Sequence, residues 1–425
     1  MRKILIISYF FPPCNFVGAQ RTSSWVKHLH KKGYFPIIVT RQWNEGQTDI
    51  VDKVDNNEME HLTFDSNEVY RMPNKRTLRD RCSEYKFLRP IQKLLSFIEI
   101  VFSNFFIKAL PYSNIYQKAR NILHDDPSIR IVIASGRPFQ SFYFGYLLKK
   151  EFDIHWIPDY RDEWTSHQNP TDKSFLWKFI HKLEKRSEKK WTSNADGFIT
   201  VSDHWQNSIG TYIEKPGHVV MNGYDRIHPL TNRKYSNDVL NIVYAGTLYP
   251  SQPIEIFIKA FQRVSVSSKI KINVTFIGAN LIPSEIRRLK NLKGNSSNIE
   301  FLNRMPKSRI IQEMQKADVL LLTAFENVTG WYAAKLFEYY ASGTPILLCP
   351  TDNDIMESFI KKTNCGVSVN SVNECEEVLL NWSNAKMNGE SILFDRNIEE
   401  GKKFSREHQT YELASYLDKF SNNPE

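Results

Sequence analysis

The chain has 425 residues, 41% hydrophobic and 24% charged, a length that corresponds to two large domains or three small ones. This composition excludes intrinsic disorder, and the lack of any run of about 18 uncharged apolar residues excludes a membrane-spanning helix. The formal net charge of +9 favours an anionic partner, such as a nucleotide or an anionic lipid surface.

The five scattered cysteines include no C-x2-C pair, which argues against a zinc ribbon, a redox motif or a disulfide scaffold. They fit a reducing cytoplasm. The N-terminal apolar run at 4–11 is short, ends at Pro12–Pro13 and lacks a small-residue cleavage site. It therefore predicts a buried first strand rather than a signal peptide.

The recurring pattern along the chain is a short β-branched run, a turn and then a longer amphipathic stretch. It predicts strands at 4–9, 35–40, 129–134, 154–158 and 197–201, and in the second half at 240–245, 272–277, 299–302, 319–322 and 345–348. It predicts helices between them, for example at 18–32, 174–191, 253–264 and 331–342. This alternation predicts an α/β fold with parallel sheets, and the mostly uncharged strands indicate sheets buried on both faces.

A polar, turn-rich stretch at 223–238 divides the chain in two. We expect a Rossmann-like domain at 1–228 and a second at 229–404, and we expect the last helix, at 405–421, to pack back on the first domain. Ligands in open α/β sheets lie at the carboxyl ends of the strands, so the chemistry should line a cleft between the domains.

Two segments of the first half bring polar groups to the end of a predicted strand. The first strand runs through FFPPCNFVGAQR into a helix near Gly18, where backbone amides could meet an anion. The alternative is a glycine that only permits an unusual loop conformation. HWIPDYRDEWTSH gathers Asp159, Arg161 and Asp162, which could position a polar ligand or form a structural ion pair with a helix cap.

The most informative stretch of the second half is FENVTGWYAAKLFEYYASGTPILLC. Thr329 and Gly330 lead into a helix on which Lys335 and Glu338, three residues apart, share one face. The amides at the helix start and Lys335 could face a nucleotide diphosphate, while Glu338 could accept from ribose hydroxyls. The alternative is a surface ion pair worth a few tenths of a kcal/mol.

Signs of a metal site are weak. The histidines show no H-x-x-H or H-E-x-x-H spacing. Asp352 and Asp354 have the Asp-x-Asp spacing of metal-dependent sugar transferases, but they follow a predicted strand where a helix should begin, which favours N-capping. We expect neither a metal ion nor another cofactor.

In order, these segments resemble the GT-B-fold glycosyltransferases, and within them glycosyltransferase family 4 of the bacterial cell-surface polysaccharide type. The similarity extends over essentially the whole chain and includes KILIISYFFPPCNFVGAQR, WIPDYRDEWT, ADGFITVSDHW, VVMNGYD, IVYAGTLYPSQPIEIFIKAF, FIGAN and TGWYAAKLFEYYASGTPIL. The resemblance implies two Rossmann-like domains facing each other across a cleft, the second holding a nucleotide sugar and the first an acceptor. It also implies metal-independent transfer with retention of configuration, in a site of positive potential and helix N-termini.

The resemblance assigns roles to individual residues. Gly18 matches the glycine of an N-terminal loop that lies against the donor phosphate or acceptor, and Gly246 matches the glycine after the first strand of the nucleotide domain. Glu338 matches the ribose-binding glutamate. Arg161 and Asp162 align with a segment where many relatives place a histidine against the donor sugar.

The chain departs from the family at three positions. The first glutamate of a paired motif falls on Gly330, and the cations that brace the diphosphate fall on or near Thr247 and Gln252. Because neither replacement is charged, Lys335, Arg161 and Arg21 are candidates for neutralising the diphosphate, or main-chain amides hold the donor. We predict Arg161, Asp162 and Lys335 as catalytic; Gly246, Thr247, Thr329, Gly330, Lys335 and Glu338 as donor-binding; and Gly18 and Arg21 as the acceptor or phosphate loop.

The basic excess is concentrated between residues 71 and 93, and the apolar stretch LLSFIEIVFSNFFIKAL follows it. We interpret residues 71–108 as a monotopic membrane contact, to which each basic residue near an anionic leaflet contributes roughly 1 kcal/mol. The alternative is an ordinary helix packed on the first domain. Nucleic-acid binding is not expected, because no recognised module accompanies the charge.

The sequence therefore predicts a cytoplasmic glycosyltransferase, peripheral at the inner face of the cell membrane. It would move a sugar from a nucleotide-diphosphate sugar to a lipid-linked or polysaccharide acceptor. Two alternatives remain open: a nucleotide-sugar epimerase, for which no convincing acid and base set is present, and a degenerate non-catalytic subunit that partners another transferase. The uncharged Thr247 and Gln252 would fit the second.

Overall fold

The structure is a computed structural model that describes residues 1–14, 16–45, 57–74, 76–104, 106, 110–166, 175–228 and 238–421. The chain divides into two compact units. Unit 1 comprises residues 1–221 and 406–425, and unit 2 comprises residues 222–405. The predicted boundary after residue 228 borders residues 229–237, which lie outside the described residues.

Unit 1 is built on one sheet flanked by helices. Its strands are β1 (Arg2–Ile7), β2 (Tyr34–Arg41), β3 (Glu60–Phe64), β4 (Asn67–Met72), β5 (Ile131–Ser135), β6 (His155–Tyr160), β7 (Phe198–Thr200) and β8 (Gly217–Val219). They lie in the order β3-β4-β2-β1-β5-β6-β7-β8, and their pairings are parallel apart from the antiparallel β3–β4 hairpin. Its helices are α1 (Val17–Leu29), α2 (Leu78–Cys82), α3 (Arg89–Ser103), α4 (Ser113–Asp125), α5 (Ser141–Glu151), α6 (Phe175–Thr192), α7 (Asp203–Ile213) and, from the end of the chain, α15 (Arg406–Ser421).

The central strands of unit 1 form because their aliphatic side chains are buried on both faces of the sheet. In β1, Leu5 is fully buried and lies in register between Ile37 of β2 and Val132 of β5. Helix α15 completes the core, because its Leu413 packs in the same apolar cluster as Trp25 of α1. The last helix of the chain thus packs within unit 1.

Unit 2 has a second sheet, which is entirely parallel among its described strands. The strands are β9 (Val239–Ala245), β10 (Lys271–Ile277), β11 (Ile299–Leu302), β12 (Val319–Leu322), β13 (Ile346–Leu348) and β14 (Gly366–Ser368), in the order β11-β10-β9-β12-β13-β14. The helices are α8 (Glu255–Ser267), α9 (Pro283–Lys293), α10 (Lys307–Lys316), α11 (Ala334–Ser342), α12 (Ile355–Thr363), α13 (Val372–Met387) and α14 (Ile398–Lys402). Tyr244, Phe257 and Phe276 lie in its core.

Each strand predicted from the sequence overlaps an observed strand, so the prediction of two mainly parallel α/β sheets is confirmed. The sequence analysis missed β3, β4, β8 and β14. The β3–β4 hairpin has no long apolar run, and β8 and β14 have only three residues each. At Gly366 a Cβ atom would overlap the Ile346 carbonyl, so the pairing of β14 with β13 requires a glycine there. Helix α11 begins at Ala334, later than the predicted start at 331.

Candidate functional site

The turn that follows β9 forms the centre of the site in unit 2. Gly246 has φ 120°, a conformation that favours glycine, and its amide donates to the Ile277 carbonyl at 2.8 Å. This bond holds the turn at the carboxyl end of the sheet, where parallel α/β folds bind ligands. Tyr339 of α11 accepts from the Ala245 amide at 2.7 Å and so ties that helix to the end of β9.

Lys335, in the first turn of α11, extends to this same turn. Its Nζ donates to Tyr244 Oη at 2.6 Å and to the Thr247 carbonyl at 3.4 Å, and it lies 4.0 Å from the centroid of the Tyr244 ring. A Cβ atom on Gly246 would lie 3.6 Å from Nζ. Burial lowers the pKa of Lys335 to about 7, although the negative charge of Glu338 has the opposite effect and raises it. The structure therefore brings Gly246, Thr247 and Lys335 together.

Glu338 lies one turn further along α11. Its carboxylate is partly exposed and pairs with Lys307 Nζ at 3.4 Å rather than with Lys335. The surface pair with Lys335 that the sequence left open as an alternative is therefore not formed. A carboxylate on the same helix face as Lys335 remains available to accept hydrogen bonds from a ligand.

Thr329 and Gly330, which lie before α11, were predicted to bind the donor, and the structure shows a different environment for Gly330. Gly330 is buried with φ 70°, and its amide donates to an Asp354 carboxylate oxygen at 2.6 Å, while Thr329 is exposed. The Gly330 amide is therefore engaged within the unit and is not directed at a donor. Asp352 accepts from the Met356 amide at 2.8 Å at the start of α12, which confirms the helix-capping interpretation.

Gln252, on or near which the resemblance places a diphosphate-bracing cation, is a structural residue. It is 1% exposed, its side-chain amide donates to the Thr323 carbonyl at 2.7 Å, and its oxygen accepts from the Tyr249 amide at 3.0 Å. The side chain holds the loop after β9 against β12. Two cations from other elements approach this loop. Lys335 of α11 reaches the Thr247 carbonyl, and Arg288 of α9 donates to the Pro250 and Gln252 carbonyls at 3.2 and 3.0 Å. Arg288 is also paired with Glu255 and Glu285, whereas Lys335 forms no such carboxylate pair among the described residues.

In unit 1, Gly18 and Arg161 lie together. A Cβ atom at Gly18 would overlap the guanidinium of Arg161, which occupies the space that a side chain would take. Arg161 Nε donates to the Gly136 carbonyl at 3.0 Å, and the guanidinium lies over the Phe10 ring at 5.3 Å. Burial lowers the pKa of Arg161, and the like charge of Arg137 adds to that effect. Gly18 is thus required by close packing, and not by an unusual backbone conformation.

Arg21 does not occupy the loop role that we predicted. It is 5% exposed and forms a two-pronged ion pair with Asp159, with Nε and Nη2 at 3.0 and 2.9 Å from Oδ1, while Nη1 donates to the Val220 carbonyl at 2.6 Å. Ser135 donates a further bond to Asp159 at 2.8 Å. Each guanidinium nitrogen is therefore engaged inside unit 1, and the geometry gives Arg21 a structural role rather than one at a phosphate.

Asp162 follows Arg161 at the end of β6. Its carboxylate pairs with Arg137 Nε at 3.1 Å and lies 4.0 Å from Arg161 Nε. Arg137, after β5, has φ 55°, an uncommon conformation for a residue with a side chain. The two arginines and Asp162 form a charged cluster at the carboxyl ends of β5 and β6.

This cluster borders a cavity of about 510 Å³ within unit 1. The cavity lies at the carboxyl ends of β1, β2, β5 and β6, and α2 and α3 provide its other wall. The sequence analysis did not single out Arg41, Arg79, Glu99 and Tyr112, which also line it. Arg41 ends β2, Arg79 and Glu99 lie on α2 and α3, and Tyr112 directly precedes α4. Only the fold brings these residues together.

The segment 71–108 contains β4, α2 and α3 in its described part. The described residues present apolar side chains to solvent on α3 and beside it: Phe87, Ile91, Leu94, Ile98 and Phe102, which are 41–76% exposed. Phe175 and Phe179 of α6 are also exposed, and Phe179 lies 6.4 Å from Phe97 of α3. We call this set the apolar face. Among the described helices, none is long and apolar enough to cross a bilayer.

Within the described parts of the chain, no three His, Cys, Asp or Glu side chains come close enough together to hold a metal ion.

Comparisons with known proteins identify the fold. The chain is similar to sucrose-phosphate synthase from Thermosynechococcus elongatus, with TM-score 0.65, 14% identity and 100% of both chains covered. It is also similar to Anabaena HepE in complex with UDP-glucose, with TM-score 0.55, 11% identity, and 98% of this chain and 99% of that chain covered. A third similar structure is a UDP-forming trehalose-phosphate synthase from Burkholderia xenovorans in complex with glucose-6-phosphate, with TM-score 0.59, 11% identity, and 98% and 100% covered. The fold is GT-B.

The family comparison adds the chemistry. Residues 232–379 match the family described as glycosyl transferases group 1, a range that contains Gly246, Lys335 and Glu338. The search of curated proteins finds no match for the sequence. Unit 2 therefore carries a glycosyl transferases group 1 domain, and the protein is a glycosyltransferase.

Proposed function

We propose that the protein transfers a sugar from a nucleotide-diphosphate sugar bound by unit 2 to an acceptor bound by unit 1, with retention of configuration and without a metal ion. The observation that carries the proposal is the position of Lys335, whose amine lies beside the Gly246–Thr247 turn at the carboxyl end of β9. The HepE complex with UDP-glucose and the UDP-forming trehalose-phosphate synthase support a nucleotide-sugar donor.

The donor would be held by charge and by backbone. Protonated Lys335 neutralises the diphosphate as the bond to the sugar breaks, and such stabilisation acts most strongly in a site shielded from water. The first-turn amides of α11 add the positive end of the helix dipole, and Ala333 at the N-cap position has no side chain that could cap them. Glu338 accepts from the ribose hydroxyls.

The acceptor side is proposed to lie at the cluster of Arg161 and Asp162. Arg161 packs against Gly18 and faces the cavity of unit 1, so these residues would position the acceptor hydroxyl. Diphosphate that stays paired to Lys335 could itself take the acceptor proton, and the mechanism then needs no enzymatic nucleophile.

We propose a family 4-like enzyme of cell-surface glycan assembly, peripheral at the cytoplasmic face of the membrane, with a lipid-linked or polysaccharide acceptor. The apolar face on α3 supports this, because a helix that carries an exposed apolar stripe, with exposed Arg89 and Lys93 on its other side, is typical of a membrane interface. Exposed apolar side chains this closely grouped are uncommon on a surface that meets only water.

The donor proposal is tested by a thermal-shift screen against UDP, GDP, dTDP, CMP and their common sugars, with a chelator present. A ligand at 100 times its dissociation constant should stabilise the protein by about 2.7 kcal/mol. Lys335→Ala should lose the response, while Lys316→Ala, an exposed lysine on α10 of the same unit, should keep it.

The outcomes separate the possible functions. Stabilisation by one nucleotide, followed by transfer of its sugar to an acceptor, supports the proposal. Nucleotide binding without turnover on any acceptor would instead favour a non-catalytic subunit, and conversion of the nucleotide sugar with no acceptor present would favour an epimerase. No thermal shift with any nucleotide or nucleotide sugar would contradict the donor site.

A further inference from the structure

We infer that the cavity of unit 1 binds a phosphorylated sugar, the headgroup of a lipid-linked acceptor, and that helix α3 connects this pocket to the membrane. This inference rests on the proposed function and specifies the substrate class of its acceptor side. It follows from the charge of the cavity walls, from the aromatic rings between them and from the two different faces of α3.

The cavity has the size and position of a ligand site. Its volume of about 510 Å³ lies within the range of roughly 300–1,000 Å³ that is usual for ligand pockets. Its floor is the carboxyl ends of parallel strands, where Tyr9 and Phe10 follow β1 and Arg161 follows β6. Tyr9 and Tyr112 meet edge to face at 4.9 Å and offer ring surface beside the polar groups.

The walls carry more positive than negative charge. Four arginines line the cavity against two carboxylates, those of Asp80 and Glu99, which leaves a formal excess of two positive charges. Both carboxylates are committed to one arginine, because Arg79 pairs with Asp80 at 2.8 Å and with Glu99 at 2.9 Å. The excess therefore comes from the strand-end side, where Arg41, Arg137 and Arg161 lie. Asp162, which pairs with Arg137 at 3.1 Å, offsets one of these charges. Arginine binds phosphate in a two-pronged geometry, so a phosphate group fits this wall.

Helix α3 belongs to the cavity on one side and to the apolar face on the other. Glu99, Ile100 and Ser103 line the cavity, whereas Ile91, Leu94 and Ile98 are 41–58% exposed. At 3.6 residues per turn the two sets lie on opposite sides of the helix. A headgroup in the cavity would thus be separated from an interfacial surface by one helix diameter, and its lipid chain can remain in the bilayer. A sugar phosphate free in solution would have no need for this arrangement.

The pocket is tested by isothermal titration of the full chain with glucose 6-phosphate, glucose and UDP. Arg137→Gln removes a half-exposed cation of the wall and should weaken glucose 6-phosphate binding about tenfold. Glu99→Gln removes a wall carboxylate and should strengthen it about fivefold. Glucose affinity should change in neither variant. Arg263→Gln, an exposed arginine paired with Glu376 in unit 2, is the matched control and should leave all three affinities unchanged.

The lipid half is tested with farnesyl-diphosphate-linked glucose in phosphatidylcholine vesicles. We expect it to bind at least tenfold more tightly than glucose 6-phosphate. The triple substitution Ile91→Ser, Leu94→Ser and Ile98→Ser should abolish that advantage, whereas Val266→Ser, which removes a 90% exposed apolar residue of unit 2, should retain it. Equal affinity for the two phosphates would overturn the lipid source and leave a soluble sugar phosphate as the ligand.

Failure of this inference can be distinguished from failure of the donor proposal. If UDP binds but no sugar phosphate does, or if Arg137→Gln and Glu99→Gln leave the phosphate affinity unchanged, the acceptor pocket is refuted and the donor site stands. If UDP also fails to bind, the proposed function itself is refuted.

Discussion

Nucleotide binding should weaken as the pH rises from 7 to 8.5, because Lys335 has to be protonated to pair with a diphosphate. Burial lowers the pKa of Lys335 to about 7 in the ligand-free protein. An opposite charge nearby raises the pKa of an amine, so a bound diphosphate should restore it toward its ordinary value of 10.5. Between these two values the complex holds a proton that the free protein lacks, and binding therefore takes up that proton.

The size of the effect follows from the two pKa values. At pH 8, Lys335 is about 10% protonated in the free protein and almost fully protonated in the complex, so binding takes up about 0.9 proton. The dissociation constant should rise about 16-fold between pH 7 and pH 8.5. The last phosphate ionisation, near pH 6, contributes little in this range.

The same lysine predicts a signature without ligand. Between pH 7 and pH 10.5 the unfolded chain binds a proton at Lys335 that the folded protein does not, so the free energy of unfolding should rise with pH there. Below pH 7 both states are protonated, and the cost of burying the charge is present in full.

Isothermal titration with UDP at pH 8, in buffers of different ionisation enthalpy, measures the proton uptake as a slope. Lys335→Arg stays charged at every pH, so its slope should be near zero. Lys316→Arg, an exposed substitution in α10, should keep the wild-type slope. A slope near zero in the wild-type protein, together with an affinity that does not change from pH 7 to pH 8.5, would refute the pairing of Lys335 with phosphate.

Three substitutions test the remaining assignments. Glu338→Ala should weaken UDP binding about tenfold or more in titration, because a charged hydrogen bond contributes ~1.5–3 kcal/mol, while stability changes by less than about 1 kcal/mol; unchanged affinity would remove Glu338 from the donor site. Gly18→Ala puts a methyl group where the Arg161 guanidinium lies and should lower turnover. The double variant Gly18→Ala with Arg161→Ala should turn over no more slowly than Arg161→Ala alone. Additive losses in this double-mutant cycle would contradict the contact between the two residues. Arg21→Ala leaves Asp159 buried and unpaired and should lower the free energy of unfolding, measured in urea, by about 3–5 kcal/mol. The double substitution Arg21→Met with Asp159→Leu should restore much of that loss. A loss below about 1 kcal/mol for Arg21→Ala would argue against a structural pair.

The sequence predicts the sheets well because local patterns determine them. Strands such as β9 and β12 are short apolar runs bounded by turns, and the alternation with helices indicates parallel pairing. The same pattern does not predict β3 and β4, because they form a polar hairpin at the sheet edge. It does not predict β14, because the pairing of β14 depends on a close backbone approach at Gly366.

The sequence predicts the site less completely, because the role of a charged residue depends on its partner in space. The sequence makes Arg21, in the first turns of α1, a phosphate candidate, but Asp159, 138 positions away in the sequence, pairs with it instead. The cavity could not be predicted for the same reason, because its walls combine strand ends with α2 and α3, which are far apart in the sequence. Arg79 and Glu99 acquire their meaning only when both helices fold over those ends.

The structure of unit 2 gives a physical reason for each residue at which the chain departs from the family pattern. Gly330 has a left-handed backbone and its amide is bound to Asp354, so a glutamate there would cost roughly 1–2 kcal/mol in conformation alone. Gln252 is uncharged because its side chain supports the loop after β9 from inside. The positive charge that the loop lacks comes instead from α11, where Lys335 touches the Thr247 carbonyl. Under the proposed function Lys335 supplies this charge to the diphosphate from another element, so the uncharged loop does not by itself argue for a degenerate subunit.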